Sequence, residues 1–452
     1  MTGGAPPGVV TYWCERTWSG PSDDVQPGVV IEITGDRITS VSAGHAAPPV
    51  GAIRLDGLTL PGSANAHSHA FHRALRGRTH GSSGTFWTWR DRMYEVAARL
   101  DPESYRALAT ATFAEMALAG ITCVGEFHYL HHDPTGRPYA DPNAMTEAII
   151  DAAAAAGVRL TVLDACYLHG GVGVEPNEVQ RRFSDGDVGR WVERVDGVKG
   201  GATVRIGAAI HSVRAVDPPS LAGVAEWADR AGAPLHAHVS EQPAENEQCL
   251  AAYGRTPTAL LHDHGVLGER FTAVHATHLT DGDVALLADT GTACCLCPTT
   301  ERDLADGIGP TAALRAGGVP MCLGSDSHAV IDLYEDARAI ELDERLRSLR
   351  RGTHRPAELL GMATSAGYAA LGWPDGGRIG VGALADLTTL RLDSVRLAGH
   401  DPADVVAALV FAATASDVRH VVVGGEVVVQ DGAHVRIDVA DALHRSITAV
   451  WQ

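Results

Sequence analysis

Short apolar runs alternate along this chain with longer stretches in which Ala, Leu and Arg recur at helical spacing. The runs lie near residues 58–66, 120–128, 158–167, 203–212, 234–240, 272–278, 292–297 and 319–325, and their length and composition predict strands. Between them Pro102 to Leu118, Ala144 to Ala156, Ser220 to Ala231 and Thr280 to Asp289 carry helical patterns. Strand then helix, eight times over, closes most economically into a (β/α)8 TIM barrel. In that α/β fold the parallel strands are buried and reactive groups sit at their C-terminal ends. Residues 9–57 and the part from about Gly377 to Gly432 hold further strands and turns. Neither end is large enough alone, so the two are expected to pair into one small β-sandwich. The expected division is 1–57 and 373–452 for the sandwich and 58–372 for the barrel.

The first barrel run ends in Pro61-Gly62-Ser63-Ala64-Asn65-Ala66-His67-Ser68-His69. Side chains at i and i+2 of a strand point the same way, so His67 and His69 can reach one metal ion. A second strand, Pro234 to Val239, carries His236 and His238, and a third, Pro320 to Asp326, ends in a carboxylate. Three imidazoles and one carboxylate at strand ends form a zinc-competent set with room for water. The same set suits iron or manganese.

Composition narrows the chemistry. A 452-residue chain that is 45% hydrophobic can bury a large core. Its net charge of −19 argues against nucleic acid or an anionic membrane surface as a partner. An anionic small molecule would therefore have to be drawn in by a local basic pocket. Only one of the 36 basic residues, Lys199, is lysine, and it stands in a turn-rich connector. That leaves no lysine placed for a Schiff base or for bridging two metals. No apolar run approaches the roughly 18 residues of a membrane span. The chain has eight Cys and no charged-then-apolar leader, which fits a reducing, cytoplasmic setting. Cys294, Cys295 and Cys297 are read as small apolar residues of a buried strand.

Taken in order, these features resemble the amidohydrolase superfamily, which joins a barrel to a β-sandwich made from both termini. The resemblance implies that His67, His69, His238 and Asp326 are ligands of one Zn2+ per subunit. It implies that Glu241, three residues after His238, and His275 act with Asp326 in proton transfer, without apportioning the steps. His236 and His278 stay open as alternatives to His238 and His275.

Substrate choice rests on other segments. Phe86 to Tyr94 is aromatic-rich in a chain that is 5% aromatic. Gly125 to Asp133 follows the second strand, and His211-Ser212-Val213-Arg214 closes the fourth. Two Arg forks with Tyr and His donors suit a small dicarboxylate better than a neutral nucleobase. With His67 to Phe71 and Ser240 to Gln242, these segments resemble the formimidoylglutamate deiminase family. That likeness implies hydrolysis of N-formimino-L-glutamate to N-formyl-L-glutamate and ammonia during histidine degradation. It implies that Arg90, Tyr129, His211 and Arg214 hold the substrate's carboxylates, in a homodimer across whose interface Arg90 can reach. His72 stands where the family pattern has Gln and can serve as a hydrogen-bond donor in its place. The competing readings are a zinc aminohydrolase of a purine, pterin or nucleoside, and a barrel that only binds. His128, His131 and His132 are expected to pack rather than to hold a second metal.

Overall fold

The computed structural model describes residues 8–22, 24–80 and 84–452. Eight parallel strands form the barrel wall: β5 (Ser63–Ser68), β6 (Ile121–His128), β7 (Arg159–Cys166), β8 (Val204–Ile210), β9 (Leu235–Val239), β10 (Phe271–His275), β11 (Ala293–Leu296) and β12 (Met321–Leu323). They pair in sequence order from β5 to β12. All of β5, β6, β7 and β9 is buried, as strands covered on both faces require.

The two chain ends meet in a second, mixed sheet. Before the barrel come β1 (Val9–Trp18), β2 (Val25–Thr34), β3 (Arg37–Ser42) and β4 (Ile53–Pro61). After it come β13 (Leu387–Leu390), β14 (Val418–Val423), β15 (Glu426–Gln430) and β16 (Ala433–His434). The spatial order β16-β15-β14-β13-β4-β1-β2-β3 places β4 beside β13, so the first and last parts of the chain share one ladder. Tyr12, Ile31, Leu55 and Leu387 centre a separate small core there. The final helix, Val439–Trp451, packs on the barrel helix Pro102–Leu118.

The apolar run 58–66 is not one strand. It divides at Gly62 into the end of β4, in the mixed sheet, and the start of β5, in the barrel. The Gly62 N–H donates to Asp386 O at 2.8 Å, and a Cβ at this residue would stand 2.1 Å from Thr122 Oγ1. Hydropathy is the same on both sides of this crossing, so the pattern alone hides it.

Helix starts follow their sequence signals. Asp101 caps Pro102–Leu118 by accepting from the Ser104 N–H, with Pro102 at the first helical position.

Arg159, at the start of β7, ties barrel to mixed sheet. Its guanidinium donates to both oxygens of Asp386, at 2.7 and 3.1 Å, and both side chains are buried. Asp386 also accepts from Tyr368 Oη at 2.7 Å and from the Gly424 N–H at 2.8 Å. Arg159→Met would leave this carboxylate buried without its counter-charge, at a cost of about 3–5 kcal/mol. A urea midpoint lowered by the equivalent amount is the expected result. A loss under about 1 kcal/mol would mean that the pair is not a structural tie.

Candidate active site

The C-terminal ends of β5 and β9 and the turn after β12 converge on one point. His67 Nε2 lies 3.2 Å from His238 Nε2 and 3.3 Å from Asp326 Oδ1. His69 Nε2 lies 3.4 Å from each of the same two atoms. Donors held about 2.0–2.1 Å from one tetrahedral ion stand about 3.3–3.4 Å apart, and these four separations match that spacing. Proton placement agrees. His69 Nδ1–H donates to Phe127 O at 2.9 Å and His238 Nδ1–H to His211 O at 2.8 Å. In the neutral tautomer both Nε2 atoms then carry lone pairs, aimed at each other inside the protein. Such an arrangement calls for a cation between them.

Burial keeps these imidazoles neutral. It pushes His67, His69 and His238 below the ordinary histidine range. Asp326 is buried as well, yet His67 and His275 hold its carboxyl well below the usual range. The backbone is strained here. Ser240, His275, Asp326 and His328 have φ of 52°, 67°, 41° and 59°, a region that non-glycine residues occupy at a cost of about 1–3 kcal/mol. Gly324 permits the approach of the last strand, since a Cβ there would lie 2.7 Å from His67 Cβ.

Beside the cage stand two further groups. His275 Nε2 is 3.8 Å from both Glu241 Oε1 and Asp326 Oδ2, while its Nδ1 is 3.5 Å from Glu301 Oε1. Burial opposes charge on this ring, but Glu241, Glu301 and Asp326 outweigh it and raise His275 to about 10. Glu241 is raised too, but toward its neutral form. Burial pushes its carboxyl up to about 7, with His275 and Arg214 opposing.

A cavity of about 630 Å³ opens over this floor. His72, Arg90, Tyr129, His211 and Arg214 all line it, together with His69, His238, Glu241, His275 and Asp326. His72 Nε2 and Tyr129 Oη are hydrogen-bonded at 2.9 Å. Arg214 lies 3.8 Å from Glu241 and 3.6 Å from Glu245. Arg90 comes from the helix Phe86–Arg99 and reaches the cavity of its own chain, so both guanidinium groups are present without a second subunit. Its guanidinium lies over the rings of Trp87 at 4.5 Å and Tyr94 at 5.5 Å. Its Nε is buried without a hydrogen-bond partner among the described residues.

The open alternatives separate by geometry. His236 Nε2–H donates to Ala370 O at 3.0 Å, one layer down the barrel from the cage. His278 Nε2–H donates to Asp306 O at 2.7 Å. His128, His131 and His132 are buried outside the cavity lining, against Asp164 and Asp185. Both oxygens of Asp164 accept from Arg194, at 2.7 and 2.8 Å, so its charge is already matched. Cys294, Cys295 and Cys297 are buried free thiols on or just after β11.

Sequence reasoning missed Glu245, Glu301 and Asp306. Asp306 belongs to the turn that follows the Pro298–Asp303 helix, and an oxygen of its carboxyl comes within 4.8 Å of ligand-type atoms of Glu241 and His275. Burial and Glu241 raise it to about 9. Acidic residues shortly after a barrel strand were the available signal.

Comparison with known proteins agrees with this architecture. The profile of the Amidohydrolase family matches residues 58–428. Formimidoylglutamate deiminase of Pseudomonas aeruginosa is 39% identical over 397 residues, covering 85% of this chain and 87% of that one. A 5-methylthioadenosine/S-adenosylhomocysteine deaminase of Natronomonas pharaonis is 31% identical over 378 residues, covering 83% and 82%. Among solved structures, an amidohydrolase from Brucella melitensis superposes with a TM-score of 0.91 at 33% identity, covering 98% of this chain and 100% of that one. Fold, strand-end chemistry and sequence agree, and this chain belongs to the amidohydrolase family.

Proposed function

We propose that this protein is a metal-dependent deiminase that hydrolyses N-formimino-L-glutamate to N-formyl-L-glutamate and ammonia. The observation that carries the reading is one cavity that joins a His3Asp cage to two guanidinium groups, Arg90 and Arg214. The cage is three imidazoles and one carboxylate, a set suited to a single zinc ion. When bound, that ion supplies Lewis acidity that makes a water molecule nucleophilic near neutral pH.

This chain's own residues carry the rest. Asp326 presents Oδ1 to the histidines and leaves Oδ2 beside His275, where it can accept a proton. His275, held as an imidazolium by its acidic neighbours, donates toward the heteroatoms on the attacked carbon, where negative charge develops. Glu241, poised near neutrality, accepts a proton and returns it to the departing nitrogen, which leaves as ammonia rather than as the far more basic amide anion. Arg90 and Arg214, with Tyr129, His211 and His72 as donors, orient the glutamate carboxylates and so fix the amidine over the cage.

The wall also holds Phe86, Trp87 and Trp89, and a relative is a 5-methylthioadenosine/S-adenosylhomocysteine deaminase, so a purine is the reading to test against. Ammonia release from N-formimino-L-glutamate should be measured beside N-formimino-glycine, guanine and adenosine with zinc-loaded protein. Rapid release from the glutamate compound alone is expected. Release from a purine alone would keep the cage chemistry and overturn the carboxylate assignment.

A further inference from the structure

The barrel's first and last strands are not joined by a ladder. Neighbouring strands elsewhere share several paired residues, whereas among the described residues β5 meets the chain after β12 only at the bridge Ser68 to Asp326. Two backbone hydrogen bonds mark it, from Asp326 N–H to His67 O at 3.0 Å and from His69 N–H to Asp326 O at 3.3 Å. This seam runs through the metal cage. His67 and His69 stand on one side and Asp326 on the other, so a small slip between the strands would change the ligand spacing directly.

Side chains supply what the ladder lacks. Asn65 Nδ2–H donates to Ser325 Oγ at 2.7 Å, and the Ser325 N–H donates back to Asn65 Oδ1 at 2.9 Å. Ser325 Oγ and His328 Nδ1 are 3.0 Å apart, His328 Nε2 and Ser68 Oγ 3.3 Å, and Ser68 Oγ donates to Glu126 Oε2 at 2.6 Å. With Glu126 as the ionised acceptor, one assignment uses each proton once. The Ser68 hydroxyl proton goes to the carboxylate, so His328 must donate through Nε2 and accept from Ser325 through Nδ1. Glu126 Oε1 accepts in addition from the Ala70 N–H at 2.6 Å, so this carboxylate grips the residues on both sides of His69. All five side chains are fully buried. Buried polar chains that are satisfied throughout are rigid, and a broken link leaves unpaired groups in a dry interior.

We propose that Asn65, Ser325, His328, Ser68 and Glu126 form a hydrogen-bonded latch across the barrel seam that sets the spacing of His67 and His69 against Asp326 for one divalent ion. These are positioning residues, and the proposal rests on the reading that the cage holds a metal. The test is zinc affinity of the purified full chain, by competition with a chromogenic chelator, with thermal midpoints measured alongside. The wild type is expected to bind one zinc ion. Asn65→Ala and His328→Ala should weaken zinc binding about 10- to 100-fold. His328→Gln, which keeps a donor toward Ser68, should recover part of that loss. Arg159→Met, destabilising at the far end of the barrel, should bind zinc as the wild type does. If Asn65→Ala does not fold, Ser325→Ala carries the same test, because its backbone bond to Asn65 remains. Folded Asn65→Ala and His328→Ala proteins with wild-type zinc affinity would overturn the latch while leaving the cage intact. A wild type that takes up no zinc would overturn the cage reading and the latch with it.

Discussion

Glu241→Gln is expected to bind substrate nearly as the wild type does and to turn it over about 10²–10⁴-fold more slowly. The substitution keeps size and one hydrogen-bond acceptor but removes the ability to carry a proton. Its position makes that ability the central one. Glu241 faces His275 through one oxygen and Arg214 through the other, both at 3.8 Å, and its carboxyl is held near neutrality. A group that is half protonated at working pH can accept from water and donate to nitrogen in the same cycle. Binding should survive because the guanidinium groups and the cage are untouched. Single-turnover ammonia release measures the chemical step, and fluorescence of Trp87 and Trp89, which line the cavity, reports binding. A loss below about tenfold would show that another acid carries the proton. Asp306, whose carboxyl lies close to Glu241, is the first candidate.

The cluster at the strand ends was legible because its signals are local. A His-x-His at the end of an apolar run and a carboxylate ending another state both residue type and height along a strand. The barrel was legible because its period repeats. Other features needed the third dimension. Period-two logic sends His236 and His238 to the same face, and only two residues of rise, about 6.6 Å, separate the one in the cage from the one bonded to Ala370. Residues 58–66 look continuous in hydropathy although the chain leaves one sheet for another at Gly62. Asn65 and His328 are unremarkable polar residues 263 positions apart, and the seam that joins them exists only once the barrel closes. Glu301 and Asp306 lie past a strand end that carried no histidine, so their position after a strand was the one signal they gave.

Arg90→Met tests the pocket rather than the chemistry. Arg214 stands near the buried carboxylates of Glu241 and Glu245, whereas Arg90 is set against the rings of Trp87 and Tyr94; the Nε of each is buried without a hydrogen-bond partner among the described residues. A half-buried guanidinium whose Nε is unpaired among the described residues suits an anion, and the cavity it lines is where one would arrive. Methionine keeps the apolar contact with both rings, so the helix Phe86–Arg99 should hold its place. Losing a charge-assisted hydrogen bond of about 1.5–3 kcal/mol should raise KM for N-formimino-L-glutamate about 10- to 150-fold. Because Arg90 contacts none of the reacting atoms, kcat should stay within about threefold while the remaining contacts fix the amidine. Arg90→Lys should fall between, since an ammonium keeps the charge but not the planar fork that pairs with a carboxylate. An unchanged KM in Arg90→Met would remove this arginine from carboxylate recognition. The aromatic wall around it would then favour a flat, uncharged substrate over the same cage.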